Sequence, residues 1–293
     1  QSQHHIPGYL YGGGLAWAYS AIDEVGWTSI DPSNDNIMYA VDRFGWDVFK
    51  SINRGISFFL LTSFSGDGAW NAPFVVCPEN PSTLYLGDTR VHKSENSGSS
   101  WAITNGGSQL DGNPVLSMAT SASSPDTVYV GTAPLNVRAH IFRTSNGGTS
   151  WSDVTKSLPD RYPIDMAVDP TNSRVVYVTF GGFGAGHIYK STDAGESWAN
   201  VTGTLPEIPT TAIAIDPLRT ENIYLGNDLG VYVSTDAGVS WAGFNEGLGD
   251  AVIVADLTVS PRNRALRVAT HGNGIWERKL LPVGPRVRPS PAL

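Results

Sequence analysis

The chain has 293 residues, 41% hydrophobic and 16% charged, with 32 Gly, 19 Pro, nine Trp and one Cys; that apolar and aromatic content argues against disorder, and Gly and Pro without a three-residue period exclude collagen. The formal net charge is −8 and no Lys/Arg cluster precedes Arg286 and Arg288, so the phosphate-neutralising patch of a nucleic-acid binder is absent and anionic membranes are poor partners. No apolar run approaches the roughly 18 residues of a spanning helix, so no membrane insertion is expected.

In chain order, the sequence opens at Gln1 without Met. With low Lys, a lone Cys77 and abundant Ser, Thr, Asn, Gly and Trp, this leads us to expect a secreted or extracytoplasmic protein whose targeting segment has been removed. His4-His5 reads as a flexible terminus, and no metal site or cofactor motif is expected anywhere in the chain. From residue 30 onward one unit recurs. Ile30-Asp31-Pro32 precedes Tyr39 by seven residues, as Val168-Asp169-Pro170 precedes Tyr177 and Ile215-Asp216-Pro217 precedes Tyr224. Cys77-Pro78 leads likewise to Tyr85, and Tyr129 and Val268 mark two more anchors, so the six anchors follow one another at steps of 46, 44, 48, 47 and 44 residues.

An octapeptide follows five of these anchors. Its copies are Ser51-Ile-Asn53-Arg-Gly55-Ile-Ser57-Phe58, Ser94-Glu-Asn96-Ser-Gly98-Ser-Ser100-Trp101, Thr144-Ser-Asn146-Gly-Gly148-Thr-Ser150-Trp151, Ser191-Thr-Asp193-Ala-Gly195-Glu-Ser197-Trp198 and Ser234-Thr-Asp236-Ala-Gly238-Val-Ser240-Trp241. Each repeat reads as four strands: an alternating run ending at Asp-Pro (A), a Tyr-centred run (B), a run into the octapeptide (C) and a strand starting at its aromatic (D). Six repeats of 43 to 50 residues predict an all-β fold, a single β-propeller of six four-stranded blades with the octapeptide as the C–D turn. The sixth repeat has no octapeptide after Ile275–Leu280. The spacing from aromatic to next anchor places its missing strand at residues 8–16, within Gly8-Tyr-Leu-Tyr-Gly-Gly13, closing the last blade. The propeller is thus assigned to 1–280, with a Pro-rich tail or linker at 281–293 and further domains a possible continuation.

The octapeptide resembles the Asp-box, or BNR, repeat of a family of β-propellers that includes sialidases, xyloglucan-active glycosidases and sortilin receptors. The resemblance implies a structural role: the third residue accepts turn amides, Gly at the fifth takes positive φ, and the Trp packs beneath. The sialidase arginine pattern is broken at Phe142-Arg143-Thr144. Gly12-Gly-Gly14 and Tyr39-Ala-Val-Asp42 resemble xyloglucanases, one residue out of register, which implies a catalytic role for Asp42. Those enzymes place the second carboxylate on another propeller.

Propellers bind ligands at the channel mouth, on the face of D–A and B–C loops. Anchor-to-octapeptide distances of 12, 9, 15, 14 and 10 residues give blades one, three and four enlarged B–C loops, containing Arg43-Phe-Gly-Trp46-Asp47, Pro134–His140 and Phe180–His187. Three residues past each anchor, Asp42, Asp88, Thr132, Phe180, Asn227 (with Asp228 beside it) and His271 are expected to ring the mouth. Either these are ordinary turn residues, or Asp42, Asp88 and His271 converge on a ligand. Trp46 and Trp70 lie outside the octapeptides and suit stacking on sugars or loop packing; Trp17, Trp27 and Trp276 are expected to be structural. Two functions remain open: a secreted module recognising a glycan or protein through Asp42, Arg43, Trp46, Asp47, Trp70, Asp88, His187, Asn227, Asp228 and His271, or a glycoside hydrolase on plant or microbial polysaccharide with Asp42 and Asp67 or Asp88 as its carboxylates.

Overall fold

The structure, a computed structural model, describes residues 9–11, 17–19, 25–42, 47–66, 68–249 and 251–283. It is an all-β, six-bladed propeller whose only helical turn among these residues is a 3-10 turn at Asn105–Gly107. After β1 (Tyr9–Tyr11) and β2 (Trp17–Tyr19), blade one holds β3 (Val25–Ile30), β4 (Met38–Asp42), β5 (Asp47–Ser51) and β6 (Phe59–Ser63). Blade two holds β7 (Phe74–Val76), β8 (Leu84–Gly87), β9 (Val91–Ser94) and β10 (Ala102–Ile103); blade three holds β11 (Val115–Thr120), β12 (Val128–Thr132), β13 (Ile141–Thr144) and β14 (Ser152–Asp153). Blade four holds β15 (Pro163–Val168), β16 (Val176–Phe180), β17 (Ile188–Ser191) and β18 (Ala199–Asn200), and blade five β19 (Thr210–Asp216), β20 (Arg219–Asn227), β21 (Gly230–Ser234) and β22 (Ala242–Gly243). Blade six shows three strands, β23 (Val254–Ser260), β24 (Ala265–Thr270) and β25 (Ile275–Lys279). All pairings are antiparallel between chain neighbours, and successive A strands pack on one another from β3 through β7, β11, β15, β19 and β23.

The turns follow from local chemistry. In the A–B turns, Asp31, Asp169 and Asp216 each accept the backbone N–H two residues on, fixing the bend that the following Pro starts. In every octapeptide the first hydroxyl donates to the side-chain oxygen of the third residue and accepts the N–H of the fifth, while that same oxygen accepts the N–H of the seventh. The fifth residue, Gly, has φ between 77° and 94°, as its sequence position requires. The fourth is left-handed too, even where it is Arg54, Ser97, Ala194 or Ala237. Bonds from the turn serines hold Asp193 and Asp236 down at about 2. The Trp does more than sit under its own turn: Trp151, Trp198 and Trp241 donate their indole N–H to Thr104, Val154 and Val201 of the preceding blade.

Because each sheet is apolar on both faces, the core lies between blades. Five buried clusters fill the five interfaces from one–two to five–six. Each is built around an anchor tyrosine, Tyr39, Tyr85, Tyr129, Tyr177 or Tyr224, all at most 1% exposed. Tyr129 donates its hydroxyl to Ser173 O of the next blade at 2.9 Å, whereas the buried Tyr85 hydroxyl has no hydrogen-bond partner. Tyr129→Phe should therefore cost about 1 kcal/mol in urea denaturation and Tyr85→Phe nothing or a slight gain, because only the first breaks a bond; equal losses would contradict this packing. Cys77 is fully buried, as a small apolar residue would be.

Blade six departs from the expectation twice. Tyr9–Tyr11, placed by spacing against its edge, pairs instead with Trp17–Tyr19. A short local ribbon closes with far less chain entropy than a strand brought across the whole domain; the rest of 8–16 lies outside the described residues. The register is also shifted by one. In blades three to five the bulge of strand A begins where it pairs with Thr132, Phe180 or Asn227, and in blade six the same bulge pairs Val254 with Thr270. The residue equivalent to the anchor tyrosines is thus Arg267, facing solvent and bonded to Glu277, and the apolar Val268 misled the count.

Candidate functional site

The B–C turns and D–A loops cluster at one end of the propeller, and the ring residues lie at their base. Each polar member ties its own turn. Asp42, half-buried at the end of β4, accepts the N–H of Asp47 at 2.9 Å. Asp88 accepts Arg90 N–H and meets His92 Nε2 at 2.9 Å. Thr132 donates to Asp111 at 2.7 Å, Asn227 accepts Leu229 N–H at 2.9 Å, and Thr270 donates to Gly274 O. Thr270 takes the ring position expected of His271, which is exposed and bound through its backbone N–H to Ile253 O. Phe180 points away into the core, edge-on to Tyr189 at 5.5 Å. Among the described members the turn role is therefore visible at every polar position.

The carboxylates are not arranged alike. Asp88 is 3% exposed, and burial raises its pKa, but the hydrogen bond and charge of His92 and the Arg90 N–H outweigh this and hold it below its ordinary value. A carboxylate kept ionised in this way is a poor proton donor. Asp67, the other candidate partner of Asp42, lies outside the described residues, as do Arg43 and Trp46. Deeper in the channel, Asp165 and Asp256 occupy equivalent bulge positions on strands β15 and β23. Burial, reinforced by the charge of Asp256, pushes Asp165 up to about 8, and burial also raises Asp256. Asp165 bridges blades, accepting Met166 N–H and, from blade five, Ile213 N–H.

Blade three carries a cluster that the repeats did not reveal. Asp111 in the D–A loop meets His140 Nδ1 of the B–C loop at 2.8 Å, and His140 Nε2 lies 3.9 Å from Asp153. Asn113 accepts the N–H of Asn136 while its amide donates to Val137 O, and Asp160 accepts Ala139 N–H. The enlarged loop is thus clamped from both sides. Only its length and His140 were visible beforehand, because its partners sit more than 20 residues away in another loop.

The long loop of blade four, 181–187, borders an open hollow of about 630 Å³ lined by Gly184, Ala185, Gly186, Asn200, Thr202 and Glu207 among others. His187 is buried beneath, not displayed at the surface. Apolar side chains stand exposed around the same end: Trp70, Tyr162 and Phe183 as aromatics, with Leu135, Val137, Leu229 and Ile253. Trp70 is 53% and Phe183 63% exposed, so each ring presents part of its surface to solvent. Asp228 beside Asn227 is half-buried. Trp27 is structural, donating to Asn71 O between blades one and two, whereas Trp276 on β25 is 39% exposed.

No family model matches the chain. A xyloglucanase of Hypocrea jecorina is 26% identical over 152 residues, 52% of this chain but only 15% of that protein. Among solved structures, the GH74 enzyme of Niastella koreensis superposes with a TM-score of 0.75 at 20% identity, covering 94% of this chain and 49% of that one. YCF48 from Cyanidioschyzon merolae superposes with a TM-score of 0.65 at 13% identity, covering 92% of this chain and 86% of that one. The chain therefore shares the propeller fold of GH74 enzymes while spanning about half, or less, of their length.

Proposed function

We propose that this propeller is a secreted polysaccharide-recognition module that seats a β-glucan chain on its D–A and B–C loop face. The observation that carries the reading is the display of Trp70, Tyr162 and Phe183 on that one face. Aromatic rings pair with the apolar faces of pyranoses, and the loops around them offer amides and hydroxyls for the sugar edges. The net charge of −8 favours a neutral ligand over an anionic one. Similarity to xyloglucanases supports a glucan backbone as the polymer.

Affinity electrophoresis in gels containing xyloglucan, mixed-linkage β-glucan or starch tests this. Wild type should be retarded by a β-glucan and not by starch, and Trp70→Ala should weaken retardation roughly 10-fold, the effect of truncating an aromatic anchor. Absence of retardation in every gel refutes the reading and turns attention to a protein partner.

The same similarity and the segment Tyr39-Ala-Val-Asp42 favour a second reading, glycoside hydrolysis with Asp42 as one carboxylate. Reducing-sugar release from xyloglucan that Asp42→Asn abolishes, with binding retained, would establish it. Intact polymer after prolonged incubation would leave recognition alone.

A further inference from the structure

Behind Glu207, which lines the blade-four hollow, lies an unused polar group. His187 has 2% of its side chain exposed, yet its Nε2 is buried without a hydrogen-bond partner, 3.4 Å from Glu207 Oε1. Glu207 is 63% exposed, lines the hollow, and is fixed by Gly184 N–H at 2.8 Å. Burying a nitrogen without a partner is costly, so a site that retains one beside a solvent-facing carboxylate is set up to receive a third group.

The loop is shaped for this. Gly182 and Gly184 have φ of 87° and 76°, and a Cβ on Gly186 would stand 2.4 Å from Asn200 Nδ2, so a side chain there would have to displace the Asn200 amide. On the loop side the wall of the hollow is consequently mostly backbone, from Gly184, Ala185 and Gly186. Thr202 Oγ accepts the N–H of His187 and Ile188, which leaves its own proton to donate. Asn200 presents an amide, Glu207 accepts, and no Lys or Arg lines the space. Phosphate, sulfate or a sugar acid would meet the Glu207 charge with no cation to offset it. A group that both donates and accepts, repeated on adjacent carbons, matches this set.

We propose that the hollow is a monosaccharide subsite that takes one neutral pyranose of the polysaccharide, with adjacent hydroxyls shared between Glu207 and His187 and the exposed Phe183 on the loop that borders it. Its volume, about 630 Å³, falls within the range of small-molecule sites. The assignment rests on the polysaccharide reading above and adds to it a specific place and donor set.

The test is calorimetric titration of the whole chain with xyloglucan oligosaccharides, comparing wild type with Glu207→Gln, His187→Leu, His187→Gln and Trp70→Ala. Glu207→Gln, at an exposed position, and His187→Leu should each weaken binding roughly 10-fold, the loss of one charge-assisted or buried hydrogen bond. His187→Gln, which returns a side-chain amide near the lost Nε2, should recover much of it. If Trp70→Ala weakens binding while Glu207→Gln and His187→Leu match wild type, the subsite is wrong and the polysaccharide reading stands. If wild type binds no oligosaccharide, both fall. Thermal stabilisation by Ca²⁺ alone, lost in Glu207→Gln with sugar affinity unchanged, would reassign the hollow to a cation and overturn the proposal.

Discussion

Arg264→Ala should lower the stability of the propeller by about 3–5 kcal/mol, the largest loss expected from any single truncation outside the tyrosine anchors. Arg264 sits in the A–B turn of blade six and reaches Asp216, at the end of β19 in blade five, with both terminal guanidinium nitrogens, Nη1 and Nη2, at 2.5 and 2.6 Å. Its Nη2 also donates to Leu281 O at 3.0 Å, tying down the chain beyond β25. Asp216 has no exposed side chain. Removing the arginine leaves a buried carboxylate facing only the N–H of Leu218, and the cost of that stranded charge exceeds the modest net worth of the pair itself. Arg264→Lys keeps the charge but loses the two-pronged geometry, so it should fall between the two. Guanidinium denaturation followed by tryptophan fluorescence measures the loss, and hydrogen exchange should show β23 to β25 opening first. A change under about 1 kcal/mol would mean that the pair is dispensable.

Stability should also fall as pH rises from about 4 to about 8, against the usual trend for an acidic protein. Asp165 is the cause. Its folded pKa of about 8 lies above the ordinary 3.8, so the folded state holds the proton more tightly than the unfolded state. The contribution is fully present below pH 3.8 and is lost as pH climbs to about 8, with a slope of at most ~1.4 kcal/mol per pH unit. Asp256, at the equivalent position on blade six and also raised by burial, acts in the same sense. The octapeptide aspartates act in the opposite sense, since Asp193 and Asp236 at about 2 lose their bonds only as pH falls below the carboxylate range. Asp165→Asn should flatten the decline between pH 4 and 8, though the amide satisfies only one of the two backbone N–H groups, Met166 and Ile213, that the carboxyl accepts. A wild-type melting temperature independent of pH over this window would refute the assignment.

Much of the molecule was legible because its signals are local. The octapeptide closes its bonds within eight residues and the Asp-Pro turn within three, so their residue types had to recur wherever the turn recurs, and the count of six blades and the strand order followed from them. The anchor tyrosines were legible for a related reason: each fills an equivalent interface, so the same ring is required six times less one. What the tertiary structure alone decided rests on pairs far apart in sequence. Arg264 meets Asp216 across 48 residues, His140 meets Asp111 across 29, and Asp165 meets Ile213 across 48. The one-residue slip of blade six, which put Thr270 in place of His271, is visible only from strand pairing: the bulge shared with blades three to five aligns Arg267, not the apolar Val268, with the anchor tyrosines. A repeat specifies a scaffold through short-range bonds that every copy must make; the loops are free of that requirement, and their contacts, hence the candidate site, are set by which loop the closed ring brings alongside.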